Sequence, residues 1–218
     1  MCWNQYVSIN TFLFSIFILL LIAWNNKYSP YKTKDFNSIY VYLFFLSFIF
    51  MQLIEFFLWR NINDPVFNKL FSLIGATLIL FQPIFSLFML KNESLKKSMI
   101  LLYSIPATIY FIYEYNKKEF TTSVSQNGHL KWNWISMIGN NEILLFAWLF
   151  FLFFSLFMNQ NYSGILFAFG LFIFSFYSKY IKKDKTSGSL WCWSVNVFLL
   201  FYAIQLLLIF PYLQHGFC

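Results

Sequence analysis

Long apolar runs separated by short polar stretches dominate this chain. The runs extend over about Val7 to Trp24, Ser38 to Trp59, Leu70 to Leu90, Ser98 to Tyr113, Ile143 to Met158, Gly164 to Tyr177 and Leu190 to Leu213. A helix needs roughly 20 apolar residues to cross a bilayer. The pattern therefore predicts an all-α membrane protein, a seven-transmembrane helix bundle forming one domain over residues 1–218. The sixth run is the shortest, and only Asn159 to Ser163 separates it from the fifth, which predicts a tight helical hairpin there.

One polar stretch has a different period. From Phe120 to Ile135, Phe120, Thr122 and Val124 alternate with polar residues before Asn127-Gly128, and Leu130, Trp132 and Trp134 do so after it. An Asn-Gly pair between alternating runs predicts a small β-hairpin between spans 4 and 5, lying on the membrane surface or capping the bundle. The plainer reading is an interfacial loop with Trp132 and Trp134 as headgroup anchors.

Composition agrees with the pattern. Of 218 residues 60% are hydrophobic, 25% aromatic and 11% charged, against about 25% charged in soluble domains. The net charge of +7 is spread as single or grouped lysines between apolar runs, the arrangement of loops beside lipid headgroups. No basic face exists for nucleic acid, and the partner implied is the lipid bilayer. Phe, at 32 residues, stands beside abundant Asn, Lys, Ile and Tyr. AT-rich coding explains that load more simply than an aromatic binding box does. Cys2, Cys192 and Cys218 are too scattered for a disulfide framework. The first apolar run has no basic residue ahead of it, which predicts a retained span rather than a cleaved signal.

Orientation in the membrane is weakly specified. Arg60, Lys69, Lys117, Lys118, Lys131, Lys179, Lys182, Lys183 and Lys185 outnumber Lys27, Lys32, Lys34, Lys91, Lys96 and Lys97 on the opposite loops. That count favours an inside N-terminus, although the three lysines after the first span pull the other way. The sequons at Asn92 and Asn161 fall on the side that the count assigns outside.

Polar groups in hydrocarbon must face the bundle interior or a water-filled cavity. Helical spacing puts Asn4, Ser8, Thr11 and Ser15 on one face of the first span and Ser72, Gly75, Gln82 and Ser86 on one face of the third. Ser47, Gln52, Glu55 and Trp59 mark the second span, Gly164, Ala168 and Ser175 the sixth, and Cys192, Asn196 and Ala203 the seventh. Small residues at such spacing are ordinary close-packing positions. The fifth span, with only Ser155, is expected to face lipid. Gln82-Pro83 and Pro106 predict kinks that free backbone carbonyls.

Glu55 is the informative residue, because a carboxylate inside QLIEFFLW costs on the order of 2 kcal/mol or more unless paired, hydrated or protonated. Counting crossings brings the end of the second span to the face where Asn4, Ser8, Glu114, Trp134, Trp191, Cys192, Trp193 and Asn196 lie. The candidate site is a polar, Trp-rimmed pocket open toward the N-terminal face, with Glu55 as a proton or cation site beside Gln52 and Trp59, and with Gln82 among its residues. Against it stands Glu55 as structural glue, paired with Arg60, Lys131 or an amide, with the Trp residues as an interfacial belt.

The segments MCWN followed by Val7-Ser8, QLIEFFLW (Gln52 to Trp59) and WCWSVN (Trp191 to Asn196) resemble an uncharacterised family of seven-span membrane proteins encoded by large DNA viruses of protists and algae. The resemblance spans the whole chain and implies no activity. A retinal protein is disfavoured because Leu190 to Leu213 contains no Lys for a Schiff base. An intramembrane lipid hydrolase is disfavoured too: His129 and His215 are placed on opposite sides, and Cys2, Cys192, His129 and Glu55 have no metal-site spacing. No cofactor or metal is called for. The expected function is that of a channel, transporter or ligand-binding protein for a small solute, ion or proton, with a non-catalytic structural or membrane-remodelling protein as the alternative.

Overall fold

The computed structural model describes residues 4–116, 119–135, 142–160, 165–166, 169–170, 173 and 187–215. Six long helices appear among them: α1 (Gln5–Tyr28), α2 (Ile39–Arg60), α3 (Pro65–Leu87), α4 (Glu93–Tyr115), α5 (Glu142–Met158) and α6 (Ser187–Ile204). The last continues through a π-helical turn, Gln205–Ile209, into a final turn, Phe210–His215. Gln205 opens that π turn and is half-buried. Helices α1 to α4 and the stretch Asn196–Leu213 are long and apolar enough to cross a membrane, while Ile143–Met158 is apolar but shorter. The sixth predicted run, 164–177, falls largely outside the described residues, of which 165–166, 169–170 and 173 are helical.

Most helices begin before their apolar runs because polar residues cap them. Asn4 accepts from Val7 N at 2.9 Å, Asp64 from Val66 N and Phe67 N, and Asn92 from Leu95 N at 3.0 Å. Pro65 opens α3 directly after its cap, where a missing N–H costs nothing.

Helix α2 is the centre of the bundle, with α1, α3 and α6 packed around it. Aromatic pairs fix the levels: Phe12 meets Phe50 at 6.0 Å, Phe57 stacks on Phe71 at 4.9 Å, and Phe45 stacks on Phe198 at 5.9 Å. Helix α6 runs parallel to α1, since Asn196 meets Ser15 while Tyr202, further along, meets the loop that leaves α1. That loop is stitched down by two amides. Asn25 Nδ2 donates to Tyr31 O, and Asn26 binds Thr33 N and Phe36 O. Phe36 is thereby buried against Phe45 and Tyr202, and the Tyr202 hydroxyl donates to Asp35 at 2.7 Å.

Helix α5 corrects an expectation. Instead of facing lipid all round, it packs parallel to α3, and Ser155 is fully buried in a 2.7 Å hydroxyl pair with Ser86. The cause lies at Pro83, which has no N–H to offer the Ile79 carbonyl one turn back. Trp148 of α5 supplies the donor, its indole Nε1 reaching Ile79 O at 3.1 Å. At the far end Asn159 Nδ2 donates to Met89 O at 2.7 Å. Trp148→Phe keeps an aromatic, though smaller, side chain and orphans that carbonyl, so it should cost about 1–2 kcal/mol. A chemical-denaturation series in detergent checks this; an unchanged midpoint would refute the assignment.

Candidate functional site

The hairpin forms as its alternation predicts and caps the bundle. Strand β1 (Thr122–Val124) pairs antiparallel with β2 (Leu130–Trp132), in the register Thr122 with Trp132 and Val124 with Leu130. Within the turn, Gly128 N donates to Ser125 O and Gly128 alone takes a positive φ, 74°. This is the three-residue loop in which glycine fills the left-handed position. Phe120, Thr122, Leu130, Trp132 and Trp134 turn inward and are buried, while Val124 at the tip is exposed.

Asn68 docks the hairpin. Its Nδ2 donates to Thr122 O at 2.9 Å and its Oδ1 accepts from Thr122 N at 2.8 Å, so one side-chain amide pairs with β1 as a neighbouring strand would. The Ser72 and Thr122 hydroxyls meet at 2.7 Å beside it. On the other strand the attachment is by shape. Trp134 lies over Gly75, where a Cβ would stand 3.4 Å from its Cζ2, 3.5 Å from Ile54 and 3.6 Å from Met51. Trp132 stacks on Trp134 at 5.1 Å with 7° between the planes. The interfacial-anchor reading of these two rings therefore fails, because Trp132 and Trp134 are 1% and 3% exposed and wedge between helices.

Beneath the hairpin lies the candidate residue. Glu55 and Gln52 are both fully buried on α2. The pairs Phe12–Phe50 and Phe57–Phe71 set Glu55 level with Ser8 of α1 and Ser72 of α3, both fully buried. Met51, one turn from Glu55 on the same face, touches the slot that takes Trp134. The expected open mouth does not reach Glu55, which has no solvent exposure, and the hairpin is docked at the same level through Ser72.

The predicted pocket separates into two storeys. Ser15, Ser47, Gln82 and Asn196 form the second, about 10 Å deeper at 1.5 Å per residue. There the Ser15 and Asn196 side chains are hydrogen-bonded, and Gln82 Nε2 reaches Ser47 O at 3.5 Å. Ser15 has one proton for two acceptors, Thr11 O and Asn196. Both contacts are satisfied when the Asn196 amide is turned so that its Nδ2 donates to Ser15. Asn196 thus sits well below Ser8, not beside it, because α6 is offset along α1.

Other candidates are placed elsewhere. Asn4 is exposed and spent on capping α1. Glu114 is buried at the end of α4, a helix that packs on α3, and is hydrogen-bonded to Tyr110 one turn away. Trp59 is half-buried at the end of α2. The side chains of Trp191, Cys192 and Trp193 lie outside the described residues. Among the described residues no group of His, Cys, Asp and Glu could hold a metal ion. Sequence reasoning had Ser72 on an inner helix face and Thr122 on one face of the hairpin but missed Asn68, which fell between two predicted spans; no local signal marks a side chain that replaces a strand.

Comparison with protein-family models, with curated proteins and with solved structures finds no match.

Asn68→Ala removes both amide bonds to Thr122 and should weaken docking by about 2–3 kcal/mol. Hydrogen exchange at the Thr122 to Trp132 amides should then speed up by roughly 30-fold or more. Unaltered exchange there would show that shape alone seats the hairpin.

Proposed function

We propose that this chain is a seven-span membrane protein that takes a small solute, ion or proton at the layer around Glu55, as a channel, transporter or ligand-binding protein does. One observation carries the reading: Glu55 and Gln52 are fully buried in a layer with Ser8 and Ser72 that a separate structural element, the docked hairpin, closes over. A carboxylate at such a depth is costly and is retained where it has work to do. A cap that is not part of any helix can open without unpacking the bundle. The hairpin is therefore the lid of the site in this reading.

The seven-span count has its own support. Helix α5 runs parallel to α3 and ends beside Met89, on the face opposite the hairpin. Helix α6 begins on the hairpin face, where it touches β2, and runs parallel to α1. A chain that leaves on one face and resumes on the other crosses the layer between, and 164–177 is the apolar run available for that crossing. Kinship with the viral seven-span family rests on the segments named above and adds no activity.

Two measurements test these proposals. Reporter tags on the two chain ends should register on opposite sides of the membrane; the same side would rule out the seven-span count. In reconstituted vesicles, Glu55→Gln should lower flux or ligand affinity about tenfold while the protein still folds. The structural alternative is favoured by the interhelical Ser86–Ser155 and Ser15–Asn196 bonds, which show polar groups serving as glue in this bundle. It wins if Glu55→Gln abolishes folding and the wild type passes nothing.

A further inference from the structure

Among the described residues three buried indole donors are left over. Trp59, Trp132 and Trp134 each bury Nε1 with no acceptor in reach. Of these, Trp132 and Trp134 are more than nine-tenths buried and belong to the hairpin's underside. An orphaned buried donor forfeits its hydration without replacement, so two on adjacent stacked rings call for an explanation. Their position narrows it. The edge of Trp134 that enters the slot is Cζ2, one atom from the carbon bearing Nε1, and the slot is made by Gly75, Ile54 and Met51. Ile54 is the chain neighbour of Glu55, so the slot lies within one residue's rise of Glu55 along α2.

The chemistry of the donors selects the guest. An indole N–H can only donate, so it cannot ligate a metal or an ammonium group. Cation–π capture is also blocked on the inner faces of Trp132 and Trp134, because the rings cover each other at 5.1 Å. An anion would meet the carboxyl of Glu55 in a layer of low dielectric. What remains is a neutral molecule carrying an acceptor oxygen. Its own O–H or N–H would face Gln52 and Glu55.

We propose that the underside of the hairpin, through the Trp132 and Trp134 indole N–H groups, is a binding site for a small uncharged solute bearing hydroxyl or carbonyl oxygen. This rests on the reading of the Glu55 layer as the solute site and names its substrate class. It also assigns the lid a part in recognition: β1 ties the hairpin to helix α3 by hydrogen bonds at Thr122, and the Trp134 that follows β2 packs into the Gly75 slot.

The test uses the full chain in proteoliposomes. Stopped-flow re-swelling is measured for glycerol and urea, and dye-reported flux for sodium, choline and chloride. Trp132 and Trp134 are each replaced by Phe, and by benzothienylalanine, which keeps the ring shape and removes the N–H. Re-swelling by glycerol or urea above empty vesicles, slowed about tenfold by either replacement in folded protein, is the expected result. Equal rates for the benzothienylalanine protein overturn the proposal. So does flux of sodium, choline or chloride without that of the neutral solutes; if Glu55→Gln then lowers the ion flux, the Glu55 reading stands and the indole site alone is lost. Folded protein that neither passes any of these species nor binds glycerol or urea overturns both.

Discussion

The carboxamide of Asn68 does for the hairpin what a third strand would otherwise have to do. A two-stranded sheet has two unpaired edges, and beside hydrocarbon an unpaired N–H or C=O costs several kcal/mol. Asn68 gives the Thr122 backbone both a donor and an acceptor at 2.9 and 2.8 Å. Without that pairing β1 would have to face water and could not lie against α3. Phe120, Trp132 and Trp134 are buried on the hairpin that this pairing attaches.

The same constraint recurs through the bundle. At several places where the backbone departs from regular helix, a side chain from another segment or an earlier turn answers the freed group: Trp148 at Ile79, Asn159 at Met89, Asn25 and Asn26 at the loop after α1. These bonds hold particular helices in particular registers. Apolar packing alone would not, since lipid tails are as good a neighbour for Phe or Leu as another helix is. The polar residues are accordingly sparse and placed where position has to be set.

Much of the fold was legible. Apolar runs located the helices because spanning length and the 3.6-residue period leave few alternatives, and Asn127-Gly128 located the hairpin because glycine was needed at one left-handed position. The level shared by Glu55 and Ser8 followed from counting crossings. What could not be read was offset and occupancy. Asn196 was placed beside Ser8 because sequence carries no measure of how far one helix slides along another. Helix α5 looked lipid-facing because the carbonyl it serves, at Ile79, is an orphan of the chain's own backbone and no residue type announces it. Trp132 and Trp134 read as surface anchors because an aromatic near a span end carries the same letters whether it floats in headgroups or fills a notch. The notch is at Gly75, more than fifty positions earlier in the chain than either ring, and spacing alone does not pair them.

That notch also dictates an order of events. The slot for Trp134 is built from Met51 and Ile54 on one helix and Gly75 on the next, so it does not exist until α2 and α3 have come together. The hairpin leaves the ribosome after both and can seat only on a finished joint. Assembly is therefore sequential, with the first three helices templating the cap, and a chain whose α2 and α3 associate slowly would expose two large indoles to whatever chaperone or lipid reaches them first.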